Sequence, residues 1–476
     1  MTDLAVLDAT AQADLVRGGD ASAAELVDGA IARIDKLNGE LNAVIHPLYD
    51  RARAAVKTGL PAGPFTGVPI VIKDLDGTLA GAPYHAGNKA LKAANYVATV
   101  TSALFERLER AGFVIVGKTN PPEFGLMPTA EPQAYGPTHN PWDVAHSCGG
   151  SSGGSASAVA SGMVPVGHAG DGGGSIRIPA SMCGLFGLKP TRGRVSLGPA
   201  EHEAWAGLVM RHVVTRTVRD SAAILDVLHG YTTGDWYTAP APGRAYAREV
   251  GTDPGKLRIG VRTTSPLGLA PVDPECVAAV EETARLLESL GHTVVEAGPA
   301  GLDDGTLLDT FTTVMLSDLR TTLAEVAAII GRDVTADDME PGTWASYQAG
   351  AGIDAGTYIG VLKRMQAWAR SVIAWWLDDG FDLLVTPTCA EPPPVIGDLT
   401  HPETGSARLL PFVIFTAPFN VTGQPAMSVP LAQSASGLPV GVQLVGAPYR
   451  EDLLFRVAGQ LEQARPWADR RPSVHA

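Results

Sequence analysis

Apolar residues recur along the chain with two different periods, and segments of the two kinds follow one another. One segment with apolar positions three or four residues apart predicts a helix that begins with Ser22 as N-cap and ends at Gly39. Short apolar runs predict strands at residues 68–72 and 113–116, with a helix between them at residues 103–111. Such alternation is typical of α/β proteins, in which helices cover a β-sheet.

The second half of the chain repeats this order of elements. LRIGVR and HTVVEA predict two strands that flank a helix over residues 276–290, with Gly291 at its end. A right-handed crossover is expected to join two such strands. The remaining apolar runs predict strands at residues 382–386, 426–431 and 440–445 and a last helix at residues 451–463.

The spacing of these segments indicates one domain. No linker rich in proline and serine divides the chain, so residues 1–476 are expected to form a single unit. Residues 1–60 are predicted to be a helical N-terminal segment. Residues 302–370 are also mainly helical in pattern, with breaks such as GTWASYQAGAGIDAGTY, and are interpreted as a helical insertion near the functional site.

Composition and charge exclude several classes of protein. Hydrophobic residues make up 45% of the chain and charged residues 18%, which predicts a globular protein without long disordered arms. A formal net charge of −14 without a basic stretch argues against nucleic acid or an anionic membrane as partner. The N-terminus lacks the pattern of a secretory signal, and the apolar stretches are too short to span a bilayer. We therefore expect a soluble cytoplasmic protein without membrane association.

The four cysteines lie far apart, without a CxxC pair or a Cys/His cluster. Neither a disulfide framework nor a metal site is therefore predicted. Cys148 adjoins a glycine-rich motif and could act as a nucleophile. Its interpretation as a small, partly buried residue is favoured, because no pattern places a histidine partner beside it.

Two short motifs match well-known patterns in a context that contradicts them. GFVIVGKT (residues 112–119) fits the phosphate-binding loop, but its apolar middle predicts a buried strand where that motif needs an open loop. GGSSGG (residues 149–154) fits the GxSxG nucleophile elbow of α/β-hydrolases, yet polar, turn-like residues precede it. Nothing marks His401 or His475 as the histidine that an elbow serine requires. Neither nucleotide binding nor Ser–His–Asp hydrolysis is favoured.

A lysine stands at the end of an apolar strand. In GVPIVIKD the alternation places Val68, Ile70 and Ile72 on one face and Val71 and Lys73 on the other, and both faces are expected to be buried. Lysine is seldom buried without a function, and removal from water favours the neutral amine, which can act as a base. The alternative interpretation is a lysine whose ammonium reaches solvent from the strand end.

The stretch from Cys148 to Pro179 is unusually rich in glycine and serine. Ten glycines and six serines lie between Gly149 and Ser175. Ser151 in GGSSGG and Ser175 in DGGGSIR each occupy a glycine turn, where consecutive N–H groups can converge on a developing negative charge. SASAVAS between the two turns predicts a closely packed helix whose positive N-terminus lies near Ser151. Serines beside such amides indicate acyl transfer.

These motifs together resemble the amidase signature family. The lysine strand, GKTNPPEFG, NPWD, CGGSSGGSASAVASG and DGGGSIRIPASMCGLFGLKPTRGR carry the resemblance, which continues to NVTGQPAMSVPL and GLPVGVQLVGAPYREDLLFRVAGQLE. It implies an α/β fold with a central mixed β-sheet covered by helices on both faces. It also implies an amide hydrolase with a Ser–Ser–Lys triad that needs neither a metal nor an organic cofactor.

The resemblance implies a role for each member of the triad. Ser175 is expected to be the nucleophile, Ser151 the bridging serine after a cis peptide bond from Gly150, and Lys73 the base at the end of the relay. A serine hydroxyl is a weak nucleophile until its proton has an acceptor, and neutral Lys73 can take that proton through Ser151.

Three further groups of residues are expected around the triad. Backbone amides would form an oxyanion hole at Gly172, Gly173, Gly174 and Ser175. Ion pairs or backbone hydrogen bonds would support the two serine turns through Ser152, Asp171 and Arg177. The pocket for the substrate would be lined near the scissile bond by Gly125, Leu126 and Met127.

The expected reaction is hydrolysis of C–N bonds in small amides, anilides or related carbamates through a serine acyl-enzyme intermediate. The A subunit of a tRNA-dependent amidotransferase is the main alternative. AEHEAWAGLVMRHVVTRTVRD (residues 200–220) departs from the stretch like SSLDQIGP that is typical of that subunit. A non-catalytic binding protein with the same fold is a further alternative, and a homodimer is the default expectation for a soluble enzyme. A bulky substrate would be favoured if the pocket were faced by Trp205, Met210, Trp344, Tyr347 and Tyr358.

Overall fold

Short strands from the whole length of the chain assemble into one large β-sheet. The computed structural model describes residues 4–199, 201 and 203–476, and thirteen strands form within them. In chain order they are β1 (Val44–Pro47), β2 (Pro69–Lys73), β3 (Val114–Thr119), β4 (His139–Asn140), β5 (Asp143–Ser147), β6 (Val166–Asp171), β7 (Phe186–Lys189), β8 (Met210–Thr215), β9 (Arg258–Val261), β10 (Thr293–Glu296), β11 (Leu383–Pro387), β12 (Ala426–Gln433) and β13 (Pro439–Gly446).

Eleven of these strands form the main sheet, in the order β1-β3-β2-β6-β8-β7-β12-β13-β11-β9-β10. Pairing is parallel for β2 with β3 and β6, and for β9 with β10 and β11. The other neighbours are antiparallel. The sheet is therefore mixed, which confirms the expectation from the family resemblance. Strands β4 and β5 form a separate two-stranded hairpin.

Fifteen α-helices are found in the described part of the chain. They are α1 (Ala9–Gly18), α2 (Ala23–Leu41), α3 (Tyr49–Thr58), α4 (Lys89–Ala93), α5 (Ala103–Arg110), α6 (Gly153–Ala160), α7 (Arg177–Cys183), α8 (Val218–Leu228), α9 (Pro274–Ser289), α10 (Thr306–Ile330), α11 (Pro341–Ala349), α12 (Ala355–Leu377), α13 (Leu410–Val413), α14 (Pro418–Val421) and α15 (Glu451–Ala464).

Strand β2 shows how helices cover both faces of the sheet. Ile70 and Ile72 belong to a hydrophobic cluster with α1, α5, α8, α9 and α15, whereas Val71 belongs to a second cluster with α2, α6 and α7. Every residue of β2 is buried, as the alternating apolar pattern predicts. A third cluster joins α10 and α12 to Leu384 of β11 and Val445 of β13. The chain is thus an α/β protein with helices on both sides of one sheet.

The N-terminal segment contains helices and one strand. Ser22 caps α2 through a capping box with Glu25, as predicted. The predicted end of α2 at Gly39 is wrong, because the helix continues to Leu41 and closes at Asn42, which adopts the left-handed conformation with φ 48°. The next residues form β1 at the sheet edge, so residues 1–60 are not helical throughout.

Helix α6 is built from small residues and is fully buried. A Cβ atom on Gly154 would lie 2.5 Å from the backbone nitrogen of Asn120, and one on Gly153 would lie 2.6 Å from Cys148 Sγ. The predicted close packing of this helix is therefore confirmed. The approach fixes the position of the turn that precedes α6, which carries Ser151.

Of the two motifs rejected in the sequence analysis, GFVIVGKT has the predicted surroundings and GGSSGG does not. The apolar middle of GFVIVGKT forms β3, a buried strand with no open loop for a phosphate. The residues before GGSSGG are not the simple turn that was predicted, since Asp143–Ser147 form β5. That strand belongs to the small hairpin and not to the main sheet, so the strand–serine geometry of a nucleophile elbow is missing in the described chain.

Helices α10, α11 and α12 occupy most of residues 302–370. Leu307 and Val314 of α10 pack with Val361 and Trp368 of α12 in the third cluster. The helical character of this segment agrees with its sequence pattern, and its status as an insertion stays a prediction.

Candidate active site

A cavity of about 430 Å³ opens beside the two serine turns, between the ends of β2 and β6 and one side of α10. Its lining includes both candidate serines, Ser151 and Ser175. Phe311 and Met315 of α10 also form part of its wall. The sequence motifs that suggested acyl transfer therefore meet at one concave surface, which is the usual form of a small-molecule site.

Lys73 is the last residue of β2 and is buried, with a side-chain exposure of 1%. Its Nζ lies 2.7 Å from Ser151 Oγ and 2.5 Å from Asp76 Oδ2. Burial lowers the pKa of Lys73, and the negative charge of Asp76 opposes this shift in part. The amine therefore meets the hydroxyl of Ser151 and the carboxylate of Asp76, both of which line the cavity.

Ser151 is held in a crowded turn. Its peptide bond with Gly150 is cis, and a Cβ atom on Gly150 would lie 2.4 Å from the backbone of Thr129. The adjacent Ser152 is fully buried, and its hydroxyl donates to Gly170 O at 3.2 Å and accepts from Gly170 N at 3.3 Å. The serine turn is thereby joined to the end of β6, which leads to Ser175.

The turn from Gly172 to Ser175 lies against the cavity. Within the described chain, none of the four backbone amides of residues 172–175 donates a hydrogen bond to another group. Gly174 has φ 140°, and a Cβ atom there would lie 2.4 Å from Thr416 Oγ1, so only glycine fits. Thr416 Oγ1 donates to Gly173 O at 2.6 Å and fixes the turn from its far side.

Asp171 and Arg177 bracket this turn with a buried ion pair. Arg177 Nε and Nη2 donate to the two carboxylate oxygens of Asp171 at 2.9 and 2.8 Å. Asp171 Oδ2 also accepts from Ile176 N at 3.2 Å. Although burial favours the neutral acid, the Arg177 guanidinium lowers the pKa of Asp171 to about 2. The carboxylate is thus ionised and closes the loop that carries Ser175.

Gly125, Leu126 and Met127 line the cavity next to the serines. Gly125 is the last residue of a 3₁₀ turn (Glu123–Gly125) and has φ 71°, and a Cβ atom there would lie 3.3 Å from Ser151 Oγ. Among the five aromatic and methionine positions that would favour a bulky substrate, Trp205 lies in the lining, whereas Met210, Trp344, Tyr347 and Tyr358 do not.

The other candidate nucleophile and bases lie elsewhere. Cys148 is fully buried outside the cavity lining, and burial raises the pKa of its thiol. His401 and His475 are also absent from the described lining. No cluster of three or more metal-ligating side chains occurs among the described residues.

Sequence reasoning missed the acidic character of the cavity. Asp76 touches Lys73, and the walls include Glu201, Glu203, Asp318 and Glu325. Burial raises the pKa of Asp318 to about 6. No lysine, arginine or histidine occurs among the described lining residues. Asp76 lies three positions after Lys73, which is the only local signal; the other acids converge from segments distant in the chain.

Comparison with known proteins agrees with this geometry. The family model described as Amidase matches residues 25–455. A 6-aminohexanoate-cyclic-dimer hydrolase of Pseudomonas sp. (strain NK87) is 42% identical over 481 residues, which cover 98% of this chain and 96% of the relative. The chain belongs to the amidase signature family. Its activity is therefore the hydrolysis of amide C–N bonds.

Solved structures of related enzymes have the same fold as this amidase. A 6-aminohexanoate cyclic dimer hydrolase complexed with substrate matches with a TM-score of 0.96 and 42% identity, and 100% of each chain is covered. A bacterial aryl acylamidase of the amidase signature family matches with a TM-score of 0.87 and 27% identity, and 97% of each chain is covered. None of the amidase's described helices combines the length and the apolar character that a membrane crossing requires.

Proposed function

We propose that this amidase cleaves amides through an acyl-enzyme formed on Ser175, with Ser151 and Lys73 as the proton relay. The observation that carries the proposal is the 2.7 Å contact of Lys73 Nζ with Ser151 Oγ at a cavity that Ser175 also lines. Ser175 Oγ attacks the amide carbonyl, its proton passes to Ser151, and the proton of Ser151 passes to Lys73. The C–O bond forms as the carbonyl electron pair moves onto oxygen.

The glycine turn supplies the second part of the reaction. The amides of Gly172, Gly173, Gly174 and Ser175, which donate to no other described group, serve in this proposal as donors to the oxyanion, and a single such donor is worth about 10²–10³ in rate. When the intermediate collapses, Lys73 and Ser151 return the proton to the leaving nitrogen. Water then attacks the acyl carbon while its proton passes through Ser151 to Lys73, and the proton returns to Ser175 Oγ as the ester C–O bond breaks. Each step uses groups of this chain and needs no added electron carrier.

The character of the cavity lining favours uncharged amides with apolar chains as substrates. Cyclic amides of aliphatic amino acids belong to this class. Leu75, Phe124, Met127, Trp205 and Met315 provide apolar contact, and the described lining offers no cation to a substrate carboxylate. The acidic walls repel an anionic substrate. Similarity to an enzyme named for the cyclic dimer of 6-aminohexanoate supports the same chemical class.

A turnover screen with a matched variant tests the proposal. Wild type is assayed on cyclic aliphatic amides, linear primary amides, anilides, carbamates and glutamine, with Ser175→Ala as blank and exposed Ser289→Ala as control. Ser175→Ala should lose at least about 10³-fold in kcat, since its nucleophile is removed, while Ser289→Ala stays at the wild-type rate. Turnover by Ser175→Ala near the wild-type rate would show that another nucleophile operates.

The same experiment separates the alternatives. Turnover confined to glutamine would favour the amidotransferase A subunit. Absence of turnover, together with absence of a Ser175 adduct after treatment with a fluorophosphonate, would favour a non-catalytic protein. The cytoplasmic location and the homodimer stay predictions.

A further inference from the structure

Asp76 is a buried carboxylate at the triad that the relay just described does not use. Its Oδ2 lies 2.5 Å from Lys73 Nζ, and its side chain is 13% exposed, towards the cavity that it lines. Lys73 Nζ therefore has two polar neighbours, Ser151 Oγ on the side of the reaction and Asp76 Oδ2 beside it. An amine between two such partners has its position fixed from both.

The backbone is shaped to bring this carboxylate back to the lysine. Asp76 has φ 61°, in the left-handed region that a residue other than glycine adopts at a cost. Gly170 of β6 leaves the space for the carboxylate, because a Cβ atom there would lie 2.2 Å from Asp76 Oδ2. The left-handed turn that follows β2 and the glycine at position 170 of β6 thus both permit the contact between Asp76 and Lys73.

Charged and titratable groups face this pair from several elements. Lys73 is faced by Asp171 of β6 and Arg211 of β8, and Asp76 by Arg211 and His168. Tyr84 lines the cavity nearby, and Glu201 pairs with Arg211. Burial lowers the pKa of His168 and raises the pKa of Tyr84, so neither is charged at neutral pH. Asp171 is engaged by Arg177, which leaves Asp76 as the carboxylate in contact with Lys73.

We propose that Asp76 is a positioning residue of this amidase, whose carboxylate holds Lys73 Nζ against Ser151 and stabilises the ammonium that forms during acylation. The inference rests on the proposed function. When the proton of Ser175 reaches Ser151 and that of Ser151 reaches Nζ, a positive charge appears in a site shielded from water. The carboxylate compensates this charge until the proton returns to the leaving nitrogen.

The test is the pH profile of kcat/KM for Asp76→Asn on a neutral amide. The asparagine keeps the shape and an acceptor but removes the charge, so deprotonation of Lys73 becomes easier. The limb on which activity rises with pH should shift to lower pH by about one unit or more. The plateau rate should fall about 10- to 100-fold for the amide and less for an activated ester, whose leaving group needs no proton.

Exposed Asp309→Asn in α10 is the matched control, because it removes one carboxylate at a position outside the cavity lining. For this control variant, the limb of the pH profile on which activity rises is expected to stay at the wild-type pH, whether or not KM changes. A folded Asp76→Asn protein with an unmoved limb, or a limb moved to higher pH, would overturn the proposal. A fall in rate alone is the result of a merely structural role and would overturn it as well.

A second variant covers the case in which Asp76→Asn does not fold. Asp76→Ala leaves a space that opens to the cavity, and added formate should restore the limb to higher pH and recover part of the rate. Formate without effect on the limb would contradict the proposal. Failure of the triad itself would instead appear as turnover in Ser175→Ala, which does not depend on Asp76.

Discussion

The guanidinium of Arg177 makes five hydrogen bonds in a site closed to water. Besides the two to Asp171, it donates to Thr416 O, Gln443 Oε1 and Asn420 Oδ1. Asn420 in turn donates to Asp171 O at 2.8 Å. A side chain outside the cavity lining thus connects the turn of Ser175 to α14 and to β13. Planar, multiply bonded contacts of this kind are specific to arginine.

Removal of this side chain should destabilise the whole protein. Arg177→Ala leaves the buried carboxylate of Asp171 without its partner, and breaking such a pair typically costs about 3–5 kcal/mol. Arg177→Lys should recover only part of the lost unfolding free energy, because an ammonium group cannot reproduce the paired N–H donors of the guanidinium. Urea unfolding at pH 7 measures both variants. Exposed Arg285→Ala is the control, and a loss below about 1 kcal/mol for Arg177→Ala would contradict the argument.

Single residues were predictable where chemistry and local pattern coincide. Lys73 stood out as a lysine in an apolar strand, and Ser151 and Ser175 as serines in glycine turns. The structure places both serines in the lining of one cavity and Lys73 Nζ 2.7 Å from Ser151 Oγ, and the roles of the three residues remain proposals. Asp76 was missed because its contact with Lys73 depends on a left-handed turn and on the space at Gly170. A sequence pattern contains neither.

At the scale of elements, β6 is one of the strands that the apolar pattern missed, and its composition is unusual for a strand. β6, VGHAGD, lies between β2 and β8 in the sheet, yet it contains two glycines and a terminal aspartate. Gly167 is needed there, because a Cβ atom would lie 2.9 Å from Ser155 of α6. Glycine weakens the strand signal in the sequence and at the same time permits the helix to approach the sheet.

Two glycines in helices allow a direct test of this packing. Gly154→Ala should destabilise the protein by about 1–3 kcal/mol, because its Cβ would meet the backbone of Asn120. Gly39→Ala is the matched control, since α2 continues past Gly39 and nothing lies within 4 Å of its Cβ position. There the substitution should stabilise by about 0.5–1 kcal/mol. Urea unfolding measures the change in unfolding free energy for both variants. Equal changes would show that α6 is not tightly packed.

At the scale of the whole molecule, the N-terminal helix is joined to elements far along the chain through carboxyl groups. Asp220 of α8 accepts from Ala9 N at 2.6 Å and from Thr10 N at 2.9 Å, at the start of α1. Glu462 of α15 accepts from Val218 N at 3.1 Å. Burial raises the pKa of Asp220 to about 6 and that of Glu462 to about 7, and the negative charge of Asp8 adds to both shifts.

This junction predicts a loss of stability as pH rises. A carboxyl group with a raised pKa contributes stability that is full below its ordinary pKa, near 4.5 for Glu462, and is lost as pH rises through about 7. Glu462→Gln keeps an acceptor for Val218 N but cannot ionise. It should exceed wild type in unfolding free energy by about 1–2 kcal/mol at pH 8, with a smaller difference at pH 5. Exposed Glu288→Gln is the control. A difference that does not change with pH would contradict the assignment.

The α/β fold class followed from apolar patterns spread over the chain, whereas the mixed sheet was implied by the motifs through which the chain resembles its family. The walls of the cavity followed from neither, because Glu201, Asp318 and Glu325 come from segments that approach each other only after folding. The substrate class is therefore the part of the function for which tertiary structure adds most.

Those acidic walls also bear on the fate of the product. Hydrolysis turns an uncharged amide into a carboxylate and an ammonium, so a negative charge arises beside the acidic side chains of Glu203, Asp318 and Glu325. The acid that is released meets repulsion and, in the described lining, no cation to retain it. Accumulating carboxylate should consequently inhibit this enzyme weakly, and resynthesis of the amide from the acid and the amine should be slow.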